Sequence, residues 1–174
     1  MSPEFLLLIA IEGVLFLMIA ILFPTLFWHA PFIPTPHSRV HRMLELAGVK
    51  KGETVVDLGA GDGRVLHCAV KHFKAKGVGV ERSPLLVFLG NVWLQFAGFS
   101  KSAKMVRQNM FQYDCSGADV VIVFLLQSTN QQIRDKLLKE LKPGSRVVSR
   151  IFKFNHWPVA DRDEKYNLTL YRKA

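Results

Sequence analysis

The sequence predicts an α/β protein: a Rossmann-like, mostly parallel sheet with helices on both faces and an antiparallel C-terminal strand, preceded by one N-terminal transmembrane helix. Three observations predict it. Residues 5–23 form an apolar run with a single charge. From residue 54 onward, short β-branched runs alternate with helix-length segments, the pattern of βαβ units. The gap before the last apolar run is too short for a crossover helix, so that strand must return antiparallel.

The first element, FLLLIAIEGVLFLMIAILF, holds nineteen residues with only Glu12 charged. As a helix it would extend about 28 Å, close to the ~30 Å hydrocarbon core of a bilayer. It lacks the basic start and small-residue cleavage site of a signal peptide. Glu12 lies near the helix start, where an acid can snorkel toward water or meet a partner. No Lys or Arg precedes Arg39, whereas Arg39, Arg42, Lys50 and Lys51 follow the span, so the positive-inside rule puts the rest of the chain in the cytoplasm. The immediate hydrophobic start, without an Arg- and Ser-rich transit segment, favours a bacterial inner membrane over a mitochondrial one.

Three parts follow: an anchor over 1–28, a proline-rich connector over 29–38 and a globular domain over 39–174. Phe27 and Trp28 suit a membrane interface, and Pro31, Pro34 and Pro36 stop the helix. In the domain, Val40, Met43, Leu44 and Ala47 recur at helical spacing before Gly48. Strands are then expected over 54–59, 76–81, 103–109, 118–126, 145–152 and 166–172. Helices are expected over 64–73, 84–96 and about 129–141.

The chain has 174 residues, 49% hydrophobic and 21% charged, which excludes disordered, collagenous and disulfide-scaffold classes. All 23 basic residues lie beyond residue 38 against 12 acids, a net +11 that suits anionic headgroups beside an anchor. Cys68 and Cys115 match no zinc spacing and read as ordinary thiols. The six histidines form no metal motif, so no metal is expected.

The chemistry concentrates at Asp57-Leu58-Gly59-Ala60-Gly61-Asp62-Gly63-Arg64, where an apolar strand ends in a glycine turn that opens a helix. That corner is a ligand-binding edge. A dinucleotide fingerprint would need glycine where Arg64 stands, so NAD and FAD are disfavoured.

The turn resembles motif I of the class I, seven-strand S-adenosylmethionine-dependent methyltransferases. Further segments narrow the resemblance: Pro31-Phe32-Ile33-Pro34-Thr35-Pro36, Phe124-Leu125-Leu126 with Asn130, and the run 140–149 from Glu140-Leu141-Lys142-Pro143 to Ser149. Over about residues 31–158 the chain is similar to the small protein-lysine methyltransferases related to the ATP-synthase c-subunit and adenine-nucleotide-translocase lysine methyltransferases and their archaeal relatives. The resemblance implies S-adenosylmethionine as cofactor, methyl transfer to a lysine amine, and Thr35 closing over the cofactor with its proline segment.

It also implies cofactor contacts at Asp57, Gly59 and Gly61. Asp62 reads as a helix cap, a cofactor ligand or both. Glu81 ends the second strand, 24 residues after Asp57, where an acid accepts from both ribose hydroxyls. Asn109 meets the adenine edge or builds a turn. Phe124, Phe152 and Trp157, together with Phe111, are candidate walls of an acceptor channel. In-line displacement needs no covalent catalytic residue, and none is assigned. The fourth strand lacks the [DN]-P-P-[YF] signature of base-nitrogen methyltransferases, so a membrane-associated protein, and no nucleic acid, is the expected acceptor. The chain departs from the family at Ser149-Arg150-Ile151-Phe152 and at Gln127. A small or lipid-like acceptor, or cofactor binding without transfer, are the alternatives.

Overall fold

The computed structural model describes residues 2–27 and 34–174 and divides into two units, Met1–Ile33 and Pro34–Ala174. In the first, α1 spans Pro3–Phe27 as a single helix. Its described side chains include Phe5, Leu8, Val14 and Phe16, all exposed. Among the described residues no helix is long and apolar enough to cross a membrane. The structure thus gives the expected helix over Pro3–Phe27. Trp28 and the Pro31-Phe32-Ile33 half of the proline segment lie outside the described residues.

The second unit is a seven-stranded sheet in the order β3-β2-β1-β4-β5-β7-β6. Its strands are β1 (Thr54–Leu58), β2 (Lys76–Glu81), β3 (Ala103–Arg107), β4 (Val120–Val123), β5 (Arg146–Arg150), β6 (Val159–Asp163) and β7 (Leu168–Arg172). The first five pair in parallel, and β7 runs antiparallel to both β5 and β6. The helices are α2 (His37–Leu46), α3 (Arg64–Phe73), α4 (Pro84–Phe96) and α5 (Gln127–Glu140). The chain winds outward from β1 to β3, then returns to place β4 beside β1. Right-handed crossovers therefore put α3 and α4 on one face and α5 on the other, and the reversal leaves a crevice at the ends of β1 and β4.

Three expectations are corrected. Helix α2 begins at His37 rather than Arg39, taking two residues from the connector, because the Pro36 carbonyl already accepts from Arg39 and Val40. The run 118–126 gives only a four-residue strand, since the chain turns off at Phe124 to start α5. Strand β6 was not expected. It is an edge strand following Pro158, bulged between Val159 and Asp161 and exposed or half-exposed throughout, so it carries no apolar alternation.

Every residue of β4 and β5 is buried, as a strand covered on both faces requires. Arg146 is tolerated there because Nη1 donates to the Ala47 and Gly48 carbonyls and Nη2 pairs with Glu53 at 2.7 Å, fastening the end of α2 to the sheet. On β2, Gly79 admits α3 and β3 to close approach: a Cβ there would lie 2.4 Å from Met105 Sδ and 2.8 Å from Ala60 Cβ. Gly79→Ala is accordingly expected to destabilise the fold by about 1–3 kcal/mol. The check is a lower urea midpoint at unchanged slope.

Candidate functional site

The crevice is floored by the turn after β1. Gly59, Gly61 and Gly63 all have positive φ, at 83°, 56° and 83°, a conformation that glycine adopts without steric penalty. A Cβ at Gly59 would also press on Leu125 at 3.1 Å, so the turn lies close under the loop that follows β4. Glu81, at the end of β2, fixes the turn from the side. Its Oε2 accepts from Gly61 N–H at 3.0 Å, and its Oε1 accepts from Arg82 and Ser83 N–H, both at 2.8 Å. Three of roughly four acceptor positions are thereby spent on orientation, and a sugar hydroxyl would take the remainder or replace the Gly61 contact.

Asp57 is buried at the end of β1. Burial, then the neighbouring charges of Glu81 and Asp62, pushes its carboxyl up to about 8, so it is largely protonated at neutral pH. Asp62 behaves oppositely. Burial raises it, but Arg64 outweighs burial and holds it below the usual carboxylate range. The pair is forked, with Arg64 Nε on Asp62 Oδ1 at 2.9 Å and Nη2 on Oδ2 at 2.6 Å. Gly63 rather than Asp62 is the cap residue of α3, yet the Asp62 carboxylate still accepts the Arg64 backbone N–H at 3.2 Å.

Thr35 is buried over this turn and gripped by two arginines. Arg64 Nη1 donates to its carbonyl at 2.7 Å, and Arg150 Nη1 donates to its hydroxyl at 3.1 Å. The sequence reading named neither arginine as a site residue. The signal was an arginine directly after the glycine turn and another inside an otherwise apolar strand end. Arg150 also lies 4.1 Å over the Phe124 ring, so one face of that expected channel wall is already occupied by a cation.

The segment after β5 is shaped by unusual backbone. Ile151 has φ 65°, which is costly for a β-branched residue. Its N–H donates to Asn167 and the Phe152 N–H donates to the Arg150 carbonyl, each at 2.8 Å. The fully buried Asn130 donates to Ser149 Oγ at 3.0 Å and to the Phe152 carbonyl at 3.1 Å. Gln127 grips both backbone groups of Lys153, at 2.8 and 3.1 Å, and Gln131 binds the same carbonyl. The two departures from the family pattern therefore have structural work: Gln127 clamps this loop, and Ile151 makes the turn that leaves Arg150 buried beneath Phe124.

Phe152 and Phe124 are half-buried at the edge of the crevice. Trp157 is placed elsewhere, packed between Phe154 and Tyr171 with its N–H donating to the Arg172 carbonyl at 3.2 Å; it is a packing residue rather than a channel wall. Asn109 is exposed, and its Oδ1 accepts from Phe111 N–H at 3.1 Å, so its carbonyl end builds the turn. Cys68 and Cys115 are buried, and burial pushes both thiols up to about 11, away from reactive thiolates. Among the described residues no group of three His, Cys, Asp or Glu is placed to hold a metal ion.

These donors and acceptors suit a nucleoside that carries no phosphate. The acid at the end of β2 can accept from a sugar hydroxyl, the glycine turn leaves room for close approach, and Arg64 at the start of α3 is paired with Asp62. The comparisons agree. The model of the ANTKMT methyltransferase domain matches residues 57–161. A protein-lysine N-methyltransferase of Saccharolobus islandicus is 41% identical over 82% of this chain and 92% of its own length. The adenine nucleotide translocase lysine N-methyltransferase of mouse is 35% identical over 75% of this chain, which spans 57% of that protein. Among solved structures, an RNA methyltransferase from Salinibacter ruber in complex with S-adenosyl-L-homocysteine superposes with a TM-score of 0.77 at 38% identity, covering 81% of this chain and 92% of that one.

Proposed function

The chain belongs to the family of the ANTKMT methyltransferase domain and is an S-adenosylmethionine-dependent methyltransferase; from that premise we propose that it methylates lysine side chains of a membrane-associated protein. The observation that carries the acceptor class is the 41% identity to a protein-lysine N-methyltransferase over nearly that protein's full length.

When bound, S-adenosylmethionine supplies a methyl carbon on a sulfonium, and its transfer breaks the carbon–sulfur bond, forms a carbon–nitrogen bond with a neutral amine and releases the amine's proton to water. The chain's own residues align, desolvate and shield. Glu81 and the glycine turn hold the nucleoside, and Thr35, gripped by Arg64 and Arg150, covers it. Phe124 and Phe152 border the approach of the acceptor. Only about one lysine in 2,500 is neutral at pH 7, and an apolar approach raises that fraction by disfavouring the ammonium.

The membrane part of the reading rests on residues 5–23, nineteen residues with one charge that lie within α1, and on the basic residues that begin only at Arg39. On this reading α1 anchors the chain and the methyltransferase domain faces the cytoplasm.

A second acceptor class is favoured by one specific observation, the Salinibacter ruber neighbour described as an RNA methyltransferase, and the net charge of +11 beyond residue 38 would suit it. Against it stands Phe124-Leu125-Leu126-Gln127 at the end of β4, where base-nitrogen enzymes carry an acid or amide followed by two prolines. The full chain, given S-adenosylmethionine with a radiolabelled methyl, is to be incubated with the membrane-protein, lipid and RNA fractions of cells lacking it. Label on a lysine of a membrane protein is the expected result; label confined to RNA or lipid overturns the lysine reading.

A further inference from the structure

The near side of the crevice is acidic. Asp57, Asp62 and Glu81 surround the glycine turn, and the N-terminus of α3, the ordinary seat for an anion, already holds the Asp62 carboxylate on the Arg64 N–H. A ligand carboxylate brought to that side would meet the Glu81 carboxylate, beside a protonated Asp57 and an Asp62 already paired with Arg64. Arg64 is mostly committed: its Nε and Nη2 are forked onto Asp62, which neutralises its charge, and its Nη1 donates to the Thr35 carbonyl.

Arg150 is the opposite case. It is 6% exposed, and among the described residues its Nε has no hydrogen-bond partner. Its Nη1 rests on a neutral hydroxyl, that of Thr35, and its guanidinium lies on an apolar ring, that of Phe124. Among the described residues no carboxylate forms an ion pair with it. Burial, then the like charge of Arg39, lowers its pKa. A desolvated cation without a counter-charge is costly, and the cost is met when an anion arrives. The place is suitable. Leu58 of β1 is level with Val123 of β4, which is level with Ser149 of β5. The end of β1 and Arg150 are therefore about two strand spacings apart, roughly 9.6 Å, and Thr35 bridges them by holding both arginines.

We propose that Arg150 is the receptor for the carboxylate of the amino-acid part of S-adenosylmethionine, placed across the crevice from the acids that hold the adenosine. The inference rests on the cofactor assignment and goes beyond it by giving one residue one group of the ligand. A guanidinium presents a fork matched to a carboxylate, and the unpartnered Nε is one edge of that fork. Such a residue positions the ligand and does not react.

The test is a four-way comparison by calorimetric titration of the full chain in detergent: wild type and Arg150→Met, each with S-adenosylmethionine and with decarboxylated S-adenosylmethionine, which lacks only the carboxylate. Wild type is expected to prefer the intact cofactor by about 10-fold or more. Arg150→Met is expected to bind the two equally, losing more affinity for the intact cofactor than for the decarboxylated compound, whose smaller loss reports the grip on Thr35. Arg150→Lys, which keeps the charge and loses the fork, should retain part of the preference, and it serves if the methionine variant does not fold. A preference that survives in Arg150→Met, or is unchanged in Arg150→Lys where only that variant folds, overturns the inference. So does an equal loss for both ligands, which would mean Arg150 acts only by holding Thr35. Wild type binding neither compound would instead sink the cofactor assignment itself.

Discussion

Glu81→Ala is expected to weaken S-adenosylhomocysteine binding by about 100-fold or more in calorimetric titration. The carboxylate offers charge-assisted hydrogen bonds to two ribose hydroxyls, each worth about 1.5–3 kcal/mol, and every 1.4 kcal/mol is tenfold in affinity. One of those two bonds displaces the Gly61 N–H that Glu81 Oε2 holds at 3.0 Å in the free chain, a contact that keeps the turn ready for the ligand. Without it the turn must reorder before the ligand can seat. Glu81→Gln keeps the shape and one acceptor oxygen and should fall between. The effect belongs mainly to the site rather than the fold: Glu81 lies at a strand end, and of the three N–H groups it releases those of the exposed Arg82 and half-buried Ser83 can turn to water. A loss below tenfold, with an unchanged melting temperature, would remove Glu81 from the ribose-binding role.

Glu81 also marks how far the sequence could be read. Its position followed from an apolar strand, a glycine turn and a second strand of the right length, all local patterns with a strict period. The same logic located α3, α4 and β2 at their observed bounds. It failed at β6, whose five residues are exposed or half-exposed and held only by main-chain pairing to β7, so nothing in their side chains records the strand. It failed differently at Trp157. An aromatic near the end of β5 suggests a channel, but whether it faces the crevice or packs against Phe154 and Tyr171 is decided by the register of β7, seventeen residues beyond Phe154. Arg150 was legible only as a departure from a family pattern. Its burial comes from a left-handed turn at Ile151 and from clamps reaching across from Asn130 and Gln127, and no local propensity announces either.

Asp57→Asn should change both stability and proton uptake, with a stabilising effect that grows as pH rises. The Asp57 carboxyl sits at about 8 in the folded chain, raised chiefly by burial, against about 3.9 when unfolded. Between those values the folded state binds the extra proton, so stability falls as pH rises through that window. Below about pH 4 the group is protonated in both states and the substitution is nearly neutral. By pH 9 the wild type carries a buried charge that the variant lacks, and the variant should be more stable by an amount on the order of several kcal/mol, read from urea unfolding at pH 5 and 8.5. Ligand binding draws on the same proton. The cofactor brings a sulfonium into the crevice, where positive charge favours the ionised carboxyl. Titration of S-adenosylmethionine at pH 7 in two buffers of different ionisation enthalpy should therefore show more proton release by wild type than by Asp57→Asn. S-adenosylhomocysteine, whose sulfur is neutral, should release less. Equal proton release by wild type and variant would separate Asp57 from the ligand and leave its raised pKa as a cost borne by the fold alone.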